Sequence, residues 1–444
     1  MRAIAESVEE VTPHGIAAAV ARLITSGELA PGDRLPTVRE LAADLSVSPA
    51  TVSHAWQALS GVGLIVSRGR SGSFVRAAPR RWLPPRYQGL AGQLEATRLD
   101  LSSGTPDPTL LPALGPAFSR IALRADTPSY LDQPVIPELE AVLRAGWPTP
   151  VEAITVVDGA LDAISRAMDL VVRFGDRVVV EDPGFPPIFD LVDHVGAVRV
   201  PVGADEEGML PELLEHALTL RPSMILLQPR AQNPTGRSLS RGRAEQLAQV
   251  IRRSRHASDV IVIEDDHSAG ISAVADVSLA QWLPGQVLHI RSFSKSHGPD
   301  LRIAAIGGPA ELIDPIVARR LLGPGWTSRM LQTMLHDLLT DPASIAEVAD
   351  ARRIYAARQR DLSAALAGHG VALPAADGIN TWLPVADERA AIVQLAAAGL
   401  RVASGAPFQA DTADTAGGFV RVTVGAIRGD VDWVAAQLAA AADA

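Results

Sequence analysis

The sequence predicts a multidomain protein in which a small helical domain precedes an α/β domain and a smaller α+β part. Three observations lead to this prediction. The chain has 444 residues, more than one ordinary hydrophobic core accommodates. Residues 14–76 show three short helical periods and two short strands, whereas from about residue 99 apolar β-branched runs alternate with helical patterns. After about Leu321 the pattern changes again, to long helices rich in Ala, Leu and Arg.

These changes of pattern predict three segments. Residues 1–78 form the first domain. Residues 99–444 form the second, with a large part to about 320 and a small part from about 321. The segment between them, 79–98, is rich in Pro, Arg and Gly and has no clear period. We therefore expect it to be a linker.

The amino-terminal pattern predicts three helices and a hairpin. The first helix ends near Gly27, and its apolar face consists of Ile16, Val20, Leu23 and Ile24. Thr37 and Glu40 have the spacing of a capping box at the start of the second helix. Ser48 is expected to cap the third helix, with Pro49 at its first position. LIVSRGRSGSFV adds two short strands around a Gly-containing turn, which completes a winged helix-turn-helix.

Polar side chains in this domain occupy positions suited to DNA. Those at or near the start and exposed face of the second and third helices are Arg39, Ser48, Thr51, Ser53 and His54, and Arg68 and Arg70 lie by the wing. Such donors reach phosphates and base edges. Residues 1–86 carry ten arginines against seven acidic residues, while the whole chain has a net charge of −10. Because the net charge of residues 1–86 is low, a winged helix that contacts protein instead of DNA stays an alternative. If the domain binds DNA, we expect a dimer on two half-sites.

Seven apolar runs predict the sheet of the second domain. They are AITVVDG, RVVVEDP, VRVPVG, SMILLQP, VIVIEDD, VLHIRSF and IAAIGG. Runs that are apolar on both faces and separated by helices predict a mostly parallel sheet covered on both sides. In the smaller part, NTWLPV, LRVASG and FVRVTVGA have a strand pattern and precede a final helix.

Overall composition predicts a cytoplasmic protein without a metal site. Hydrophobic residues make up 47% of the chain, and no run approaches the roughly 20 apolar residues of a membrane helix. The first residues lack the pattern of a secretory signal, and the chain contains no cysteine. Disulfides and cysteine-based metal sites are therefore excluded.

Lys295 is the only lysine of the chain. A bias of codon usage explains why arginine replaces lysine where charge alone matters, but a guanidinium cannot act as an amine nucleophile. Lys295 follows the predicted strand VLHIRSF, at the sheet edge where α/β proteins bind ligands. A lysine there suits a Schiff base with an aldehyde. Ser292, Ser294 and Arg302 lie near it in sequence and suit a phosphate, so pyridoxal phosphate is the natural candidate.

Other strand ends offer what this cofactor requires. Asp265 closes VIVIEDD and could pair with the ring nitrogen, and Asn233 in QNPTG could bind the phenolic oxygen. Phe185 could stack on the ring. The helix start for the phosphate consists of Gly159, Ala160 and Leu161. Taken singly, each would more often be a turn former, a helix cap or a core residue; their order along the chain favours a site.

The second domain resembles the fold-type I aminotransferases. The resemblance rests on VDGALDA, EDPGFPP, QNPTG, IEDD, SFSKSHGPDLR and FVRVTVG, and it covers about residues 99–444. LPTVRELAADLSVSPATV and the GRSGSFV wing are similar to the GntR family, and the two domains in this order resemble its MocR subgroup. The resemblance implies that Lys295 binds pyridoxal phosphate as a Schiff base and that Arg421 binds the carboxylate of an amino-acid ligand. It also implies that Asp265 pairs with the pyridine nitrogen and that Asn233 binds the ring oxygen. The phosphate would be held by Ser292, Ser294 and Arg302.

The sequence departs from the family pattern at several positions. His267 stands where a tyrosine is usual, two residues past the pyridine-binding aspartate, and Phe185 replaces a frequent tyrosine. Pro49 replaces a basic residue common in the recognition helix. The usual glycine after the turn that contains Tyr130 is absent. These departures leave open the role of His267 toward the phenolic oxygen.

The leading hypothesis for function is a transcriptional regulator whose DNA affinity changes when a small amino compound reacts with pyridoxal phosphate at Lys295. Under this hypothesis we expect no physiological turnover. Two alternatives stay open. One is a working aminotransferase with an accessory DNA-binding domain, because the same residues would serve proton transfer. The other is a sensor of pyridoxal phosphate itself. The resemblance also implies a homodimer with a head-to-tail arrangement.

Overall fold

The computed structural model consists of two compact units, Met1–Pro84 and Pro85–Ala444. The residues that it describes are 2–8, 10–61, 64–67, 72–75, 84–86, 97–120, 129–410 and 418–443. Most of the predicted linker, and the predicted wing residues Arg68 and Arg70, lie outside this described part of the chain.

The smaller unit contains the predicted three helices and hairpin, preceded by one short helix that the sequence did not predict. The elements are α1 (Arg2–Ser7), α2 (Pro13–Ser26), α3 (Val38–Asp44), α4 (Pro49–Gly61), β1 (Ile65–Ser67) and β2 (Ser73–Val75). α2 ends at Gly27, which has the left-handed conformation of a helix C-cap. The capping box of Thr37 and Glu40 is present.

Apolar side chains from the three predicted helices form the core of this unit. Its fully buried members include Ile16, Val20, Leu41, Val52 and Leu59. β1 and β2 pair antiparallel, with Ile65 opposite Val75. The apolar periodicity of the sequence therefore produces a winged helix-turn-helix, as predicted.

The larger unit contains the remaining helices and strands. Its helices are α5 (Leu114–Arg120), α6 (Pro137–Ala145), α7 (Ala160–Val171), α8 (Pro186–His194), α9 (Pro211–Leu218), α10 (Arg241–Arg253), α11 (Ala310–Leu321), α12 (Arg329–Thr340), α13 (Pro342–Gly368), α14 (Glu388–Ala397) and α15 (Val431–Ala442). Its strands are β3 (Leu99–Leu101), β4 (Ala153–Val157), β5 (Arg177–Asp182), β6 (Val198–Asp205), β7 (Gly208–Met209), β8 (Met224–Leu227), β9 (Ile261–Asp266), β10 (Val287–Ser292), β11 (Ala304–Gly308), β12 (Thr381–Val385), β13 (Leu400–Ser404) and β14 (Gly418–Val422).

An eight-stranded sheet forms the centre of the larger unit. Its order is β4-β11-β10-β9-β8-β5-β6-β7, and the four pairings from β10 to β6 are parallel. All seven predicted strands belong to it. Two hydrophobic clusters of buried residues involve its strands. Helix α7 contributes to one cluster and α10 to the other. Because parallel strands end at one edge, β5, β8, β9 and β10 bring the residues that follow them together.

A second sheet, of order β12-β14-β13-β3, forms the smaller part of this unit. Its three predicted strands are present, but the fourth comes from the start of the domain. β3 pairs parallel with β13, with Leu99 opposite Leu400. The residues predicted to begin the large part therefore complete the sheet of the small part.

No helix within the described ranges is long and apolar enough to cross a membrane.

Candidate functional site

Lys295 lies three residues past the end of β10. Its Nζ donates a hydrogen bond to the carbonyl of Gly104. Burial, and secondarily the Arg421 charge, lower the pKa of Lys295 to about 8 against the opposing effect of the Asp265 charge. An amine with this pKa is a better nucleophile near neutral pH than an exposed lysine.

Asp265 lies at the end of β9 and is 2% exposed. Its Oδ2 accepts a hydrogen bond from Gln228 Nε2 at 2.8 Å, while Oδ1 is buried without a hydrogen-bond partner among the described residues. Burial raises the pKa of Asp265 to about 6 despite the Gln228 hydrogen bond. A buried carboxylate oxygen without a donor fits a cationic ring N–H.

Gly159 and Arg302 meet at the start of α7. Gly159 has φ of +107°, and Arg302 Nη2 donates to the carbonyl of Asp158 at 3.1 Å. A Cβ on Gly159 would lie 2.4 Å from that nitrogen. Ala160 and Leu161 open the helix, and the first amides of a helix have no acceptor within it. The helix start and the guanidinium together suit an anion such as a phosphate.

The two predicted serines lie at the end of β10 and beyond it. Ser292 is buried, and its Oγ accepts a hydrogen bond from the backbone N–H of Ser294 at 3.3 Å. Ser294 is half-buried. Ser292 also lines a cavity of about 740 Å³ together with Ser296 and His297. Neither Lys295 nor Asp265 lines this cavity.

Arg421, on β14, is 2% exposed and lies beside Asn233. Its Nη1 donates to Asn233 Oδ1 at 3.2 Å, and its Nη2 donates to the carbonyl of Ser102. A Cβ on Gly104 would lie 2.9 Å from Nη1. Because Lys295 donates to the carbonyl of the same glycine, residues from distant parts of the chain form one cluster. Arg421 Nε is buried and has no hydrogen-bond partner within the described residues, and burial lowers the pKa of this guanidinium to about 10.

His267 and Phe185 are the two departures from the family pattern that lie in this region. Burial, and secondarily the Lys295 charge, lower the pKa of His267 to about 4, so the imidazole is neutral at physiological pH. Its Nδ1 has no partner in the described part of the chain. Phe185 is half-buried, precedes α8 and packs against the sheet core. A core role for Phe185 is therefore present in the structure, and its stacking on a ring stays a prediction.

The sequence argument missed three residues of this region. Gln228 follows β8, Glu181 lies near the end of β5, and Gly104 lies before the first helix of the larger unit. A polar residue directly after an apolar strand was the available signal for Gln228 and Glu181. For Gly104 the sequence offered no signal, because its partners Lys295 and Arg421 are distant along the chain.

The predicted DNA-contacting residues of the smaller unit lie on or beside α3 and α4. Arg39, Ser48 and His54 are exposed, whereas Thr51 and Ser53 are half-buried. Ser48 Oγ accepts from the backbone N–H of Thr51 at 3.2 Å, which caps α4 as predicted. The exposed donors therefore occupy the helix that enters the major groove in this type of fold, and the helix before it.

Two family models match the chain, one for each unit. "Bacterial regulatory proteins, gntR family" matches residues 13–75. "Aminotransferase class I and II" matches residues 96–437. The second match covers most of the chain.

Two transcriptional regulators are similar to the chain over most of their own length, and one solved structure is similar in fold. The vitamin B6 salvage pathway transcriptional repressor PtsJ of Salmonella typhimurium is 37% identical over 407 residues, which are 90% of this chain and 92% of that protein. The probable rhizopine catabolism regulatory protein MocR of Rhizobium meliloti is 28% identical, over 84% of this chain and 79% of that protein. The α-aminoadipate aminotransferase LysN of Thermus thermophilus, crystallised with N-(5'-phosphopyridoxyl)-L-leucine, is 21% identical with a TM-score of 0.69; the match covers 80% of this chain and 96% of that one. This last likeness concerns the fold.

The order of the two domains and the similarity over nearly the whole length of PtsJ lead to one assignment. The chain belongs to the MocR subgroup of the GntR family, transcriptional regulators in which a winged helix-turn-helix precedes an aminotransferase-like domain.

Proposed function

We propose that this chain regulates transcription in response to a small molecule that reacts at Lys295, with pyridoxal phosphate as the resident cofactor. The observation that carries the proposal is the cluster in which the only lysine of the chain lies beside Gly104 and Arg421. The cofactor would supply an aldehyde that binds an amine covalently and a ring that accepts electrons. Asp265 Oδ1, which has no donor among the residues that the structure describes, would fit its ring nitrogen.

The remaining residues have roles that follow from their chemistry. The start of α7, Arg302, Ser292 and Ser294 would hold the phosphate. Asn233 would donate its side-chain amide to the phenolic oxygen, since its Oδ1 already accepts from Arg421. The pKa of about 8 at Lys295 would keep part of this amine neutral and ready to attack the aldehyde.

An amino compound with a carboxylate is the effector that Arg421 favours. The guanidinium is buried and its Nε has no partner among the described residues. A carboxylate would supply both the missing acceptor and a compensating charge. The name of PtsJ favours a second candidate, pyridoxal phosphate itself as the effector. In both cases the ligand must bind one arrangement of the protein better than another to change DNA affinity.

The DNA-bound form would be a homodimer in the cytoplasm. Two winged helices on two half-sites give the affinity that one small unit with a low net charge lacks. Among the described residues, large apolar side chains such as Tyr130, Leu131 and Leu322 are strongly exposed in the single chain. Such surface suits contact with a second copy.

Reductive trapping tests the proposal, because the chain has a single lysine. Wild type incubated with pyridoxal phosphate and then reduced with borohydride should gain one phosphopyridoxyl group, located at Lys295 by peptide mass spectrometry. Lys295→Arg keeps the positive charge but cannot bind the aldehyde, so it should gain none there. A wild type that gains no group, or an equal gain in the variant, contradicts the proposed site.

A turnover assay separates the regulator from a working aminotransferase. Steady conversion of an amino donor and a keto acid over many cycles would favour the enzyme. A change in the visible spectrum that stops at one equivalent would favour the regulator. Footprinting with cofactor alone, and then with cofactor and amino acids, distinguishes the two effector candidates.

A further inference from the structure

Gln228 directs both polar atoms of its side chain to residues around the proposed cofactor site. It follows β8 and is 4% exposed. Its Nε2 donates to Asp265 Oδ2 at 2.8 Å, and its Oε1 accepts from the backbone N–H of Asn233 at 2.8 Å. Its own backbone N–H donates to Glu181 Oε2 at 2.9 Å. Through its side chain and its backbone N–H, one residue thus joins the ends of three neighbouring strands, β9, β8 and β5.

The orientation of the Gln228 amide has one solution. The backbone N–H of Asn233 can only donate, so the amide oxygen must face it. The amide NH₂ then faces Asp265, where it finds a carboxylate oxygen as acceptor. A donor in this position favours the ionised form of Asp265, whereas burial favours the neutral form. With Oδ2 engaged, Oδ1 is the oxygen left for a ring nitrogen.

Glu181 adds no competing charge to this arrangement at neutral pH. Burial raises the pKa of Glu181 to about 8, although Gln228 and Gln232 both donate to it.

We propose that Gln228 is a positioning residue for the cofactor: it directs the free oxygen of Asp265 to the ring nitrogen and fixes the turn that carries Asn233. This inference rests on the proposed function, because it assigns Asp265 to the pyridoxal phosphate ring. It goes further by naming a residue whose hydrogen bond to Oδ2 favours the ionised form of Asp265. A protonated ring nitrogen, and hence the electron-accepting strength of the ring, would depend on Gln228.

Gln228→Glu tests the idea with almost no change of volume. The new carboxyl group can still accept from Asn233 but cannot donate to Asp265 unless it binds a proton itself. Loss of a hydrogen bond to a charged group predicts cofactor affinity about ten- to a hundredfold weaker. The visible band of bound cofactor should also titrate at a different pH from that of wild type.

A double-mutant cycle with Asp265→Asn distinguishes an effect of Gln228 through Asp265 from an unspecific disturbance of the site. If Gln228 acts through Asp265, Gln228→Glu should weaken cofactor binding much less in the Asp265→Asn background than in wild type. Equal weakening in both backgrounds overturns the proposal. The matched control is Gln286→Glu, because Gln286 directly precedes β10, at the other end of the sheet, and its Nε2 donates to the carbonyls of Ala257, Ser258 and Val260, which precede β9. Its substitution should lower thermal stability without moving the spectral titration.

Measurements on the full-length protein distinguish failure of the proposed function from failure of the role of Gln228. If wild type binds no pyridoxal phosphate, the proposed function fails. If wild type binds it and Gln228→Glu shows the same affinity and the same spectral pH profile, only the role of Gln228 fails.

Discussion

Arg302 lies across the start of α7 against Gly159. Its Nη2 donates to the Asp158 carbonyl at 3.1 Å, and a Cβ at Gly159 would lie 2.4 Å from the same nitrogen. Gly159 also has φ of +107°, which side-chain-bearing residues rarely adopt. Both the close approach and the backbone conformation therefore require glycine.

Gly159→Ala should weaken binding of pyridoxal phosphate about tenfold or more, because the methyl group displaces Arg302 and strains the helix start. Titration of the apo protein by visible absorbance measures the affinity. Gly242→Ala is the control: it lies in α10, and its Cβ would meet only Ser240 Oγ, at 3.9 Å. This control should keep wild-type affinity. Equal affinities of the two variants would remove Gly159 from the phosphate site.

Arg421→Lys should weaken effector binding more than cofactor binding. Arg421 donates in two directions, to Asn233 and to Ser102, and a lysine cannot keep both contacts while it binds a carboxylate. We expect the spectral response to amino acids to require a concentration about ten- to a hundredfold higher. The measurement uses the common L-amino acid that gives wild type its largest response. Arg319→Lys, at an exposed position, should behave as wild type, and an unchanged response of Arg421→Lys would exclude a carboxylate-binding role.

Glu181 makes the stability of the apo protein depend on pH. Its folded pKa of about 8 is above the ordinary value of 4.5, so between these pH values the folded state binds more protons than the unfolded state. The free energy of unfolding should therefore fall as pH rises through this range, by roughly 1 to 4 kcal/mol. Glu181→Gln should remove most of this decrease in the free energy of unfolding. Below about pH 6, part of the decrease that remains is due to Asp265. Urea unfolding at about pH 5 and about pH 8.5 measures the difference.

The control for this prediction is Glu206→Gln, an exposed carboxyl group beyond the end of β6. It should keep the wild-type dependence on pH. A Glu181→Gln variant with the same slope as wild type would show that Glu181 is ionised at neutral pH in the folded protein.

The sequence predicted the strands well because each is a continuous apolar run with a turn signal at its end. The same property places Asp265 and Lys295 at one edge of the sheet, so their proximity follows from the order of elements. No comparable pattern in the sequence predicted the contacts between distant segments. β3 has only three residues and pairs with β13 some 300 residues later. The apposition of Gly104 with Arg421 depends on that sheet, since Gly104 follows β3 and Arg421 lies on β14.

The roles of Gln228 and Glu181 were not predictable for a different reason. A glutamine or glutamate after an apolar strand has many possible partners, and the choice among them depends on the register of β5, β8 and β9. The shifted pKa of Glu181 follows from its burial, which the sequence alone does not specify.

Arg39→Ala should weaken DNA binding about equally for different DNA sequences. Arg39 is exposed on α3, one residue before the capping-box Glu40, where the helix ahead of the recognition helix crosses the phosphate backbone. Loss of one phosphate contact should reduce the slope of log affinity against log salt by about 1. Fluorescence anisotropy with a duplex selected from random sequence, at several salt concentrations, gives both values. Arg22→Ala is the matched control, because that arginine lies on α2 and donates to the carbonyl of Ser7 at 3.1 Å. Equal slopes for the two variants would favour a winged helix that contacts protein.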